Sequence, residues 1–346
     1  MKTIKIASLL YNENNIDRIQ QILRIDAEKH NLKFIYDEST PDYVLATNSI
    51  YDSKNLYKKL LRYINIDCII IFFAGECVTP DMNIFDYAIA FDRNLHFEDR
   101  IARLSTCRFY SVSIFEEYLK IDINNEYIDK KKKFCNFMYS HSFPIRDDIF
   151  RKLCEYKKVD SIGKHLNNTG VKSTRYSDNW RKISIEDRLP YKFSIAAENA
   201  SFPGYTSEKI ISCFQAHTVP IYWGDPTITD EFNPKAFINC NDYNTLDEVL
   251  KKVVEIDNDD ELYISMLREP WQTEEQREKT IEMDKKYDEW ILNIFNQPKE
   301  LARRRPWGTY PNAYKRWFIQ RYKRDLITIL KKQCARVLNI LKLRKM

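Results

Sequence analysis

Apolar positions along the chain fall into two recurring patterns. Short continuous runs rich in β-branched and aromatic residues alternate with longer segments whose apolar residues return every three or four positions. The first kind reads as buried strand and the second as amphipathic helix. Residues 3–10 are apolar and β-branched, and residues 15–30 carry Ile16, Ile19, Ile22, Leu23 and Ala27 at helical spacing. Residues 42–46 read as strand and 54–64 as helix. The clearest buried strand is 67–74 (DCIIIFFA), closed by the turn Gly75-Glu76, and 85–91 (FDYAIAF) is another. A charged stretch at 122–133 (DINNEYIDKKKK) interrupts the pattern, which then restarts. Strands are predicted at 134–140, 159–163, 192–199, 219–224 and 236–241, with helices at 145–156, 205–217 and 246–256 between them.

Alternation of this kind predicts parallel sheets with helices on both faces. The interruption divides the chain into residues 1–130 and 131–302, two open-sheet domains of one type, followed by a segment at 303–346. Two such domains facing each other make a cleft, and open α/β sheets gather ligands at the carboxyl ends of their strands.

Composition narrows the classes. A 44% hydrophobic content supplies two cores. No run reaches the ~20 apolar residues of a membrane span. The start, MKTIKIASLLYNENN, reads as a first strand rather than a signal peptide. None of the eight cysteines forms a C-x-x-C pair, and most sit in apolar segments, as free thiols in a reducing cytoplasm do. The five histidines are scattered, so no zinc site is expected. Asp257-Asn258-Asp259 sits between predicted helices and reads as a solvated acidic turn rather than a metal motif. The phosphate-loop, dinucleotide and nucleophile-elbow glycine patterns are absent.

Charge is unevenly placed. Residues 303–346 hold 14 Lys/Arg and one acid, Asp325, for +13; with +5 overall, residues 1–302 carry −8. The basic balance therefore belongs to the tail and does not argue for nucleic-acid binding by the body. Leu326, Ile327, Leu330, Cys334, Val337, Leu338 and Leu341 recur there at helical spacing among Lys and Arg. A basic amphipathic helix suits an anionic membrane surface, with Trp307, Tyr310, Tyr314, Trp317, Phe318 and Tyr322 as interfacial residues. Such a tail is expected to be dispensable for chemistry.

The densest chemistry lies at residues 198–209, ENASFPGYTSEK, between a predicted strand and a predicted helix. Pro203-Gly204 makes a turn, Thr206 or Ser207 can cap the helix, and Glu208-Lys209 fall in its first turn. A helix N-terminus suits phosphate. A lysine there opposes the helix dipole, so structure alone does not favour Lys209. Glu208 fits an ordinary first turn, or could accept hydrogen bonds from sugar hydroxyls.

The run from Tyr191-Lys192-Phe193 through Glu198-Asn199, Pro203-Gly204-Tyr205-Thr206-Ser207-Glu208-Lys209, Val219-Pro220-Ile221-Tyr222-Trp223-Gly224 and Phe232-Asn233-Pro234-Lys235 closely resembles the donor-binding motif of glycosyltransferase family 10, the α-1,3/4-fucosyltransferases, its bacterial members above all. Phe134-Cys135-Asn136-Phe137, Arg146 and Val159–Gly163 resemble the start of the family's second domain. Gly75-Glu76 and residues 85–92 resemble a motif of its first. The resemblance covers roughly residues 67–270. It departs where the family often has Tyr and Phe73 stands here, and where Ala200 replaces the commoner Ser.

The resemblance implies a GT-B fold: two Rossmann-like domains, acceptor on the first and GDP-fucose on the second. It implies an inverting transfer of L-fucose from GDP-fucose to a GlcNAc-containing glycan acceptor, of Lewis type or a surface polysaccharide. Glu76 matches the general base, Arg146 and Lys209 the diphosphate-binding cations, and Asn199, Tyr205 and Glu208 donor-contacting positions. No cofactor or metal is implied. The expected setting is the cytoplasmic face of a bacterial membrane. The rival readings are a GT-B transferase for another sugar donor and a non-catalytic glycan-binding relative; nucleic-acid binding through the tail would show a steep salt dependence.

Overall fold

The computed structural model describes residues 1–10, 15–104, 123, 128–170 and 180–320. Its strands are β1 (Lys2–Leu9), β2 (Leu32–Tyr36), β3 (Tyr43–Thr47), β4 (Ile69–Phe73), β5 (Tyr87–Ala90), β6 (Ile101–Arg103), β7 (Lys133–Phe137), β8 (Val159–Ser161), β9 (Tyr191–Ala197), β10 (Val219–Trp223) and β11 (Ile238–Asn239). Its helices are α1 (Ile16–Leu23), α2 (Ser49–Asp52), α3 (Lys54–Tyr63), α4 (Pro144–Cys154), α5 (Trp180–Glu186), α6 (Glu208–Gln215), α7 (Leu246–Asp257), α8 (Asp260–Arg268), α9 (Glu274–Asn296) and α10 (Lys299–Ala302).

The strands form two separate sheets, ordered β2-β1-β3-β4-β5-β6 and β11-β10-β9-β7-β8. Every pairing is parallel. Parallel strands are covered on both faces, which explains their continuous apolar runs. In β4, Ile69 and Ile71 face one core with Ile4, Ile6, Leu45 and Ile89, while Ile70 and Phe72 face the other with Val44, Ala46, Leu60 and Phe85. All four are fully buried. Full burial of such a side chain is worth ~1.5–3 kcal/mol, so the sheet tolerates no polar residue at these four positions. The second sheet repeats the arrangement, with Cys135, Phe137, Phe193, Ile195 and Ile221 on one face and Ala196 and Tyr222 on the other.

The structure differs from the sequence pattern in a helix end, two edge strands and one acidic turn. The periodicity predicts a helix over 15–30, but α1 stops at Leu23 because Arg24 adopts a left-handed conformation (φ 50°) and its N–H turns back to Gln20 and Gln21. The short edge strands β2 and β6 have no counterpart in the sequence reading. Asp257 is not solvated: it is buried between Lys157 (2.5 Å) and Lys192 (2.9 Å), and Asp259 caps α8 through the Leu262 N–H.

The domain boundaries at 302 and 303 also differ from the packing. α9 leaves the second domain and lies on the first. Arg24 pairs with Asp284 (2.9 Å), and Tyr287 donates to the Leu23 carbonyl. Tyr43 donates to the Ile294 carbonyl, and Phe34 and Tyr43 pack on Phe295. Beyond α10 the chain stays there. Arg305 forms a fully buried ion pair with Asp86 (2.8 Å), whose carboxylate also accepts from the Ile70, Arg304 and Arg305 N–H groups. Phe318 stacks on Tyr57, and Tyr314 donates to Asp81. The physical reason is complementarity: the cations at 303–305 meet Asp67, Asp86 and Asp99 of the acidic body. The apolar stripe from Leu326 to Leu341 lies outside the described residues.

Candidate functional site

The two sheets meet at their carboxyl ends. The joining loop, residues 200–207, follows β9 and leads into α6. It bends at Gly204, whose φ of 86° is in the left-handed region. Any Cβ there would overlap the Phe91 carbonyl oxygen of the first domain, so glycine lets the loop dock directly on the end of β5. Phe91 packs against Phe202 and Tyr205. Below the loop, buried Asp225 accepts from the Gly204 and Thr227 N–H groups and from Thr206 Oγ1. Arg93 and Arg103 of the first domain both reach Glu231 of the second, Arg93 at 3.0 Å, and Arg93 also lies 3.5 Å from Asp230. The seam between the domains is therefore charged at its rim and closely packed under the loop.

This docking brings three of the sequence-predicted residues together. Glu76, exposed on the turn after β4, accepts from Asn199 Nδ2 and Tyr205 OH, each at 2.9 Å from Oε2. Tyr205 OH also lies 2.8 Å from Asn199 Oδ1 and has one proton to share between the two acceptors. Tyr205 itself is 1% exposed. Burial, then Glu198, Glu76 and Glu208, push its phenol far above the ordinary range, so it acts as a hydrogen-bond donor rather than a base.

The other cationic residues cluster at the ends of β7 and β9, where the strand order of the second sheet reverses. Pro144 opens α4, and Arg146 in its first turn is buried. Arg146 Nε donates to the Ala197 carbonyl at 3.0 Å, and its guanidinium stacks over Tyr139, 4.4 Å from the ring centre. Among the described residues its two terminal nitrogens make no hydrogen bond. Lys209 Nζ, in the first turn of α6, binds Glu198 Oε2 (2.8 Å) and Ser207 Oγ (2.7 Å). Burial alone would lower the Lys209 pKa; Glu198 first, then Glu208 and Tyr139, reverse that and hold it above its ordinary value. Glu208 is half-buried beside them.

The capping expectation is corrected here. Ser207 occupies the N-cap position of α6 but makes no side-chain cap bond. Its hydroxyl lies 2.8 Å from both oxygens of Glu198, whose carboxylate it meets with its N–H as well. Sequence reasoning placed Glu198 and Ser207 in the motif without a role at the site beyond a cap for Ser207, and it missed Tyr139. A glutamate at the end of the apolar strand KFSIAAEN was the available signal, since a buried strand end seldom carries an acid without a partner. Trp223 packs on the second domain's core and against Phe143, 6.2 Å between ring centres. Among the described residues no group of three or more His, Cys, Asp or Glu side chains could hold a metal ion.

The arrangement thus sets an accessible carboxylate from one domain opposite two cations from the other. Residues 128–306 match the family described as glycosyltransferase family 10 (fucosyltransferase), C-terminal domain. Residues 10–110 match the N-terminal domain of the α-(1,3)-fucosyltransferase FucT. A protein of Acanthamoeba polyphaga mimivirus, named as a candidate fucosyltransferase, is 35% identical over 204 residues, 58% of this chain and 33% of that protein. The α-(1,3)-fucosyltransferase FucT of Helicobacter pylori is 30% identical over 243 residues, 61% of this chain and 48% of that protein. The chain thus matches less than half the length of each of these relatives. A crystal structure of an α1,3-fucosyltransferase superposes with a TM-score of 0.68 at 23% identity, covering 89% of this chain and 93% of that one. A crystal structure of an α1,3-fucosyltransferase with GDP-fucose gives 0.62 at 24% identity, covering 84% and 91%. These two likenesses establish the shared fold, two parallel-sheet domains of GT-B type.

Proposed function

The chain belongs to glycosyltransferase family 10, and from that premise we propose that it transfers L-fucose from GDP-fucose to a glycan hydroxyl, with inversion at the anomeric carbon. The observation that carries the reading is the pairing of Glu76 with Asn199 and Tyr205 across the domain seam, beside Arg146 and Lys209. Displacing an anomeric diphosphate needs a base for the attacking hydroxyl and positive charge for the leaving group. Glu76 is the wet carboxylate that removes the proton. Arg146, anchored by Nε and by stacking, presents its terminal nitrogens to the diphosphate as a planar fork, and Lys209 adds a point charge. Asn199, Tyr205 and Glu208 line the fucose, and the nucleotide lies over the ends of β7 and β9. With two cations neutralising the leaving group, catalysis proceeds without a metal, and turnover should persist in excess EDTA.

The acceptor is a GlcNAc-containing glycan, fucosylated at O3. The reading is tested by incubating the protein with several nucleotide sugars and a panel of acceptors, and reading the product linkage by NMR. An α-fucoside formed from GDP-fucose is expected. Turnover with another nucleotide sugar and none with GDP-fucose would reassign the donor; a β-fucoside would overturn single displacement.

The protein works at an anionic membrane surface through its basic C-terminal segment. Trp307 and Tyr310 are more than 80% exposed at the start of that segment, and Trp317 is 49% exposed. Among the described residues no helix is long and apolar enough to cross a membrane. A cut before Arg303 would strand Asp86 without Arg305. The informative truncation therefore ends at Gln320. It should turn over a soluble acceptor at the full-length rate and bind phosphatidylserine vesicles more weakly, since it keeps Trp307, Tyr310 and Trp317 but lacks the basic stripe beyond them. Unchanged vesicle binding would remove the tail's role.

A further inference from the structure

Glu198 belongs to none of the roles assigned above, yet no polar group in the site is more enclosed. It is fully buried, and its N–H is held by the Trp223 carbonyl at 2.7 Å. We propose that Glu198 is a positioning residue for Lys209, a buried carboxylate that fixes the direction in which the ammonium group meets the donor diphosphate. The inference rests on the donor reading above and extends it to a residue that does not itself touch the substrate.

The geometry is that of a clamp. From below, the Gly224 backbone packs closely on the Glu198 side chain: a Cβ on Gly224 would come within 2.5 Å of Glu198 Cγ. From above, Ser207 meets the carboxylate with both its N–H and its hydroxyl. An ammonium group has three tetrahedral donors. Glu198 Oε2 and Ser207 Oγ take two of those of Lys209. The direction of the third N–H is then determined, and it is the one left for an anion. A lysine side chain by itself is flexible through four carbons, so this aim has to be supplied by its surroundings. Glycine at 224 is required for the same reason, since any side chain would displace the clamp.

The clamp also keeps Lys209 charged. The groups that face it are Glu198 from the end of β9, Ser207 from the loop, Glu208 from its own helix, and Tyr139 from beyond the end of β7, which carries Arg146 stacked on its ring. Burial favours the neutral amine, and Glu198 is the strongest of the opposing influences. Removing its charge leaves burial opposed by Glu208, since the Tyr139 phenol is itself pushed up to about 12 and stays neutral, so the proton should leave Lys209 at lower pH.

The test is GDP binding by calorimetry at about pH 7 and about pH 9.5, for wild type, E198Q, K209R and E198Q/K209R, with folding checked by thermal midpoint. Ionisation of the guanine acts on all four alike. Between the two pH values E198Q should lose roughly tenfold more affinity than wild type, the worth of one charge-assisted contact. In E198Q/K209R that extra loss should vanish, because a guanidinium keeps its proton across the range. A purely structural lesion in E198Q would not be cured by K209R. Folded E198Q with the wild-type pH dependence, or a double variant that keeps the extra loss, would overturn the proposal. Should E198Q not fold, E198D carries the test: it keeps the charge but withdraws it from Lys209 and Ser207, so an intermediate loss is expected, and the wild-type profile would overturn the role. Wild-type protein that binds no GDP at either pH would instead overturn the donor reading, and Glu198's role with it.

Discussion

The carboxyl ends of β4 and β9 each carry a glutamate, and the molecule treats the two in opposite ways. Glu76 is exposed, and its two hydrogen-bond donors, Asn199 and Tyr205, come from the other domain. Glu198 is fully buried, and its contacts with Ser207, Lys209, Trp223 and Gly224 all come from its own domain. The sheets place them differently too. Glu198 sits where the strand order of the second sheet reverses, between β7 and β9; the first sheet reverses between β1 and β3, one strand away from the end of β4. The difference follows from the work proposed for each. A group that takes a proton from an arriving hydroxyl has to stay reachable. A group that aims a cation at a leaving anion gains by being fixed beforehand in a dry setting.

The hardest test of this contrast is Glu76→Gln. The change keeps shape but removes the base, so kcat should fall by on the order of 10²–10⁴-fold. GDP-fucose affinity and the thermal midpoint should stay near wild type, because Glu76 is exposed and the glutamine oxygen can still accept from Asn199 and from the buried Tyr205. Near-normal kcat in the folded variant would reassign the base and erase the contrast.

On the other side, Arg146→Ala and Lys209→Ala should each weaken GDP and GDP-fucose alike, by roughly tenfold or more, since hydrogen bonds to charged groups are worth ~1.5–3 kcal/mol. Lys209→Ala carries a second penalty. It leaves Glu198 buried and uncompensated, a defect that costs roughly 3–5 kcal/mol in comparable cases. Calorimetry and denaturant midpoints separate the two effects. Unchanged GDP affinity in both variants would detach the cations from the diphosphate.

How far each glutamate could be read from the chain differs for the same reason. The strands that lead to both are legible, because IIIFF is a continuous apolar run and KFSIAA a mostly apolar one, as parallel sheets demand. Glu76 is legible through its motif and its place after such a strand. Glu198 stands in the motif without a role until the fold brings Ser207, Lys209 and Gly224 around it from three separate positions. Asp257 is a second case: its burial depends on Lys157 and Lys192, each more than 60 residues distant in the chain. Local pattern finds elements; it does not report which charges will be enclosed when elements pack. β2 and β6 escape for a simpler reason, being short edge strands of five and three residues. The path of α9 back to the first domain is likewise set by tertiary contacts such as Tyr287 and Phe295.

A more deeply buried lysine sharpens the comparison. Lys131 donates to the Ala216 carbonyl (2.7 Å) and to Thr218 Oγ1 (3.3 Å). Burial pushes its ammonium down to about 7, the opposite direction from Lys209. The sign of the stability effect follows. Between about pH 7 and its ordinary value of 10.5, the unfolded chain holds a proton on Lys131 that the folded chain does not. Stability from this group therefore rises with pH through that window. Lys131→Met removes the dependence. The stability of wild type relative to Lys131→Met should rise by roughly 1–2 kcal/mol between about pH 7 and 9, read from urea midpoints. Buried thiols and phenols titrate in both proteins and cancel in the difference. Parallel curves would mean that Lys131 keeps its charge in the fold, and that burial alone does not set the direction.

The smallest expected effect belongs to Tyr205→Phe, which removes one of the two donors to Glu76 together with the hydroxyl's contact to Asn199 Oδ1. The ring is buried against Phe91, 5.0 Å between centres, and phenylalanine fills the same space. Glu76 keeps its bond from Asn199, and water can reach an exposed carboxylate to replace the lost hydroxyl. A neutral hydrogen bond that water can substitute is worth ~0.5–1.5 kcal/mol, so kcat should fall about threefold to tenfold with GDP affinity unchanged. The hydroxyl cannot contribute as a base, because burial and the surrounding carboxylates keep it protonated far beyond neutral pH. If steady-state kinetics instead show a loss as deep as that of Glu76→Gln, then Tyr205 and Glu76 act as one unit. The first domain's carboxylate would then be as dependent on fixed partners as Glu198 is, and the proposed division between a reachable base and a clamped cation would fail.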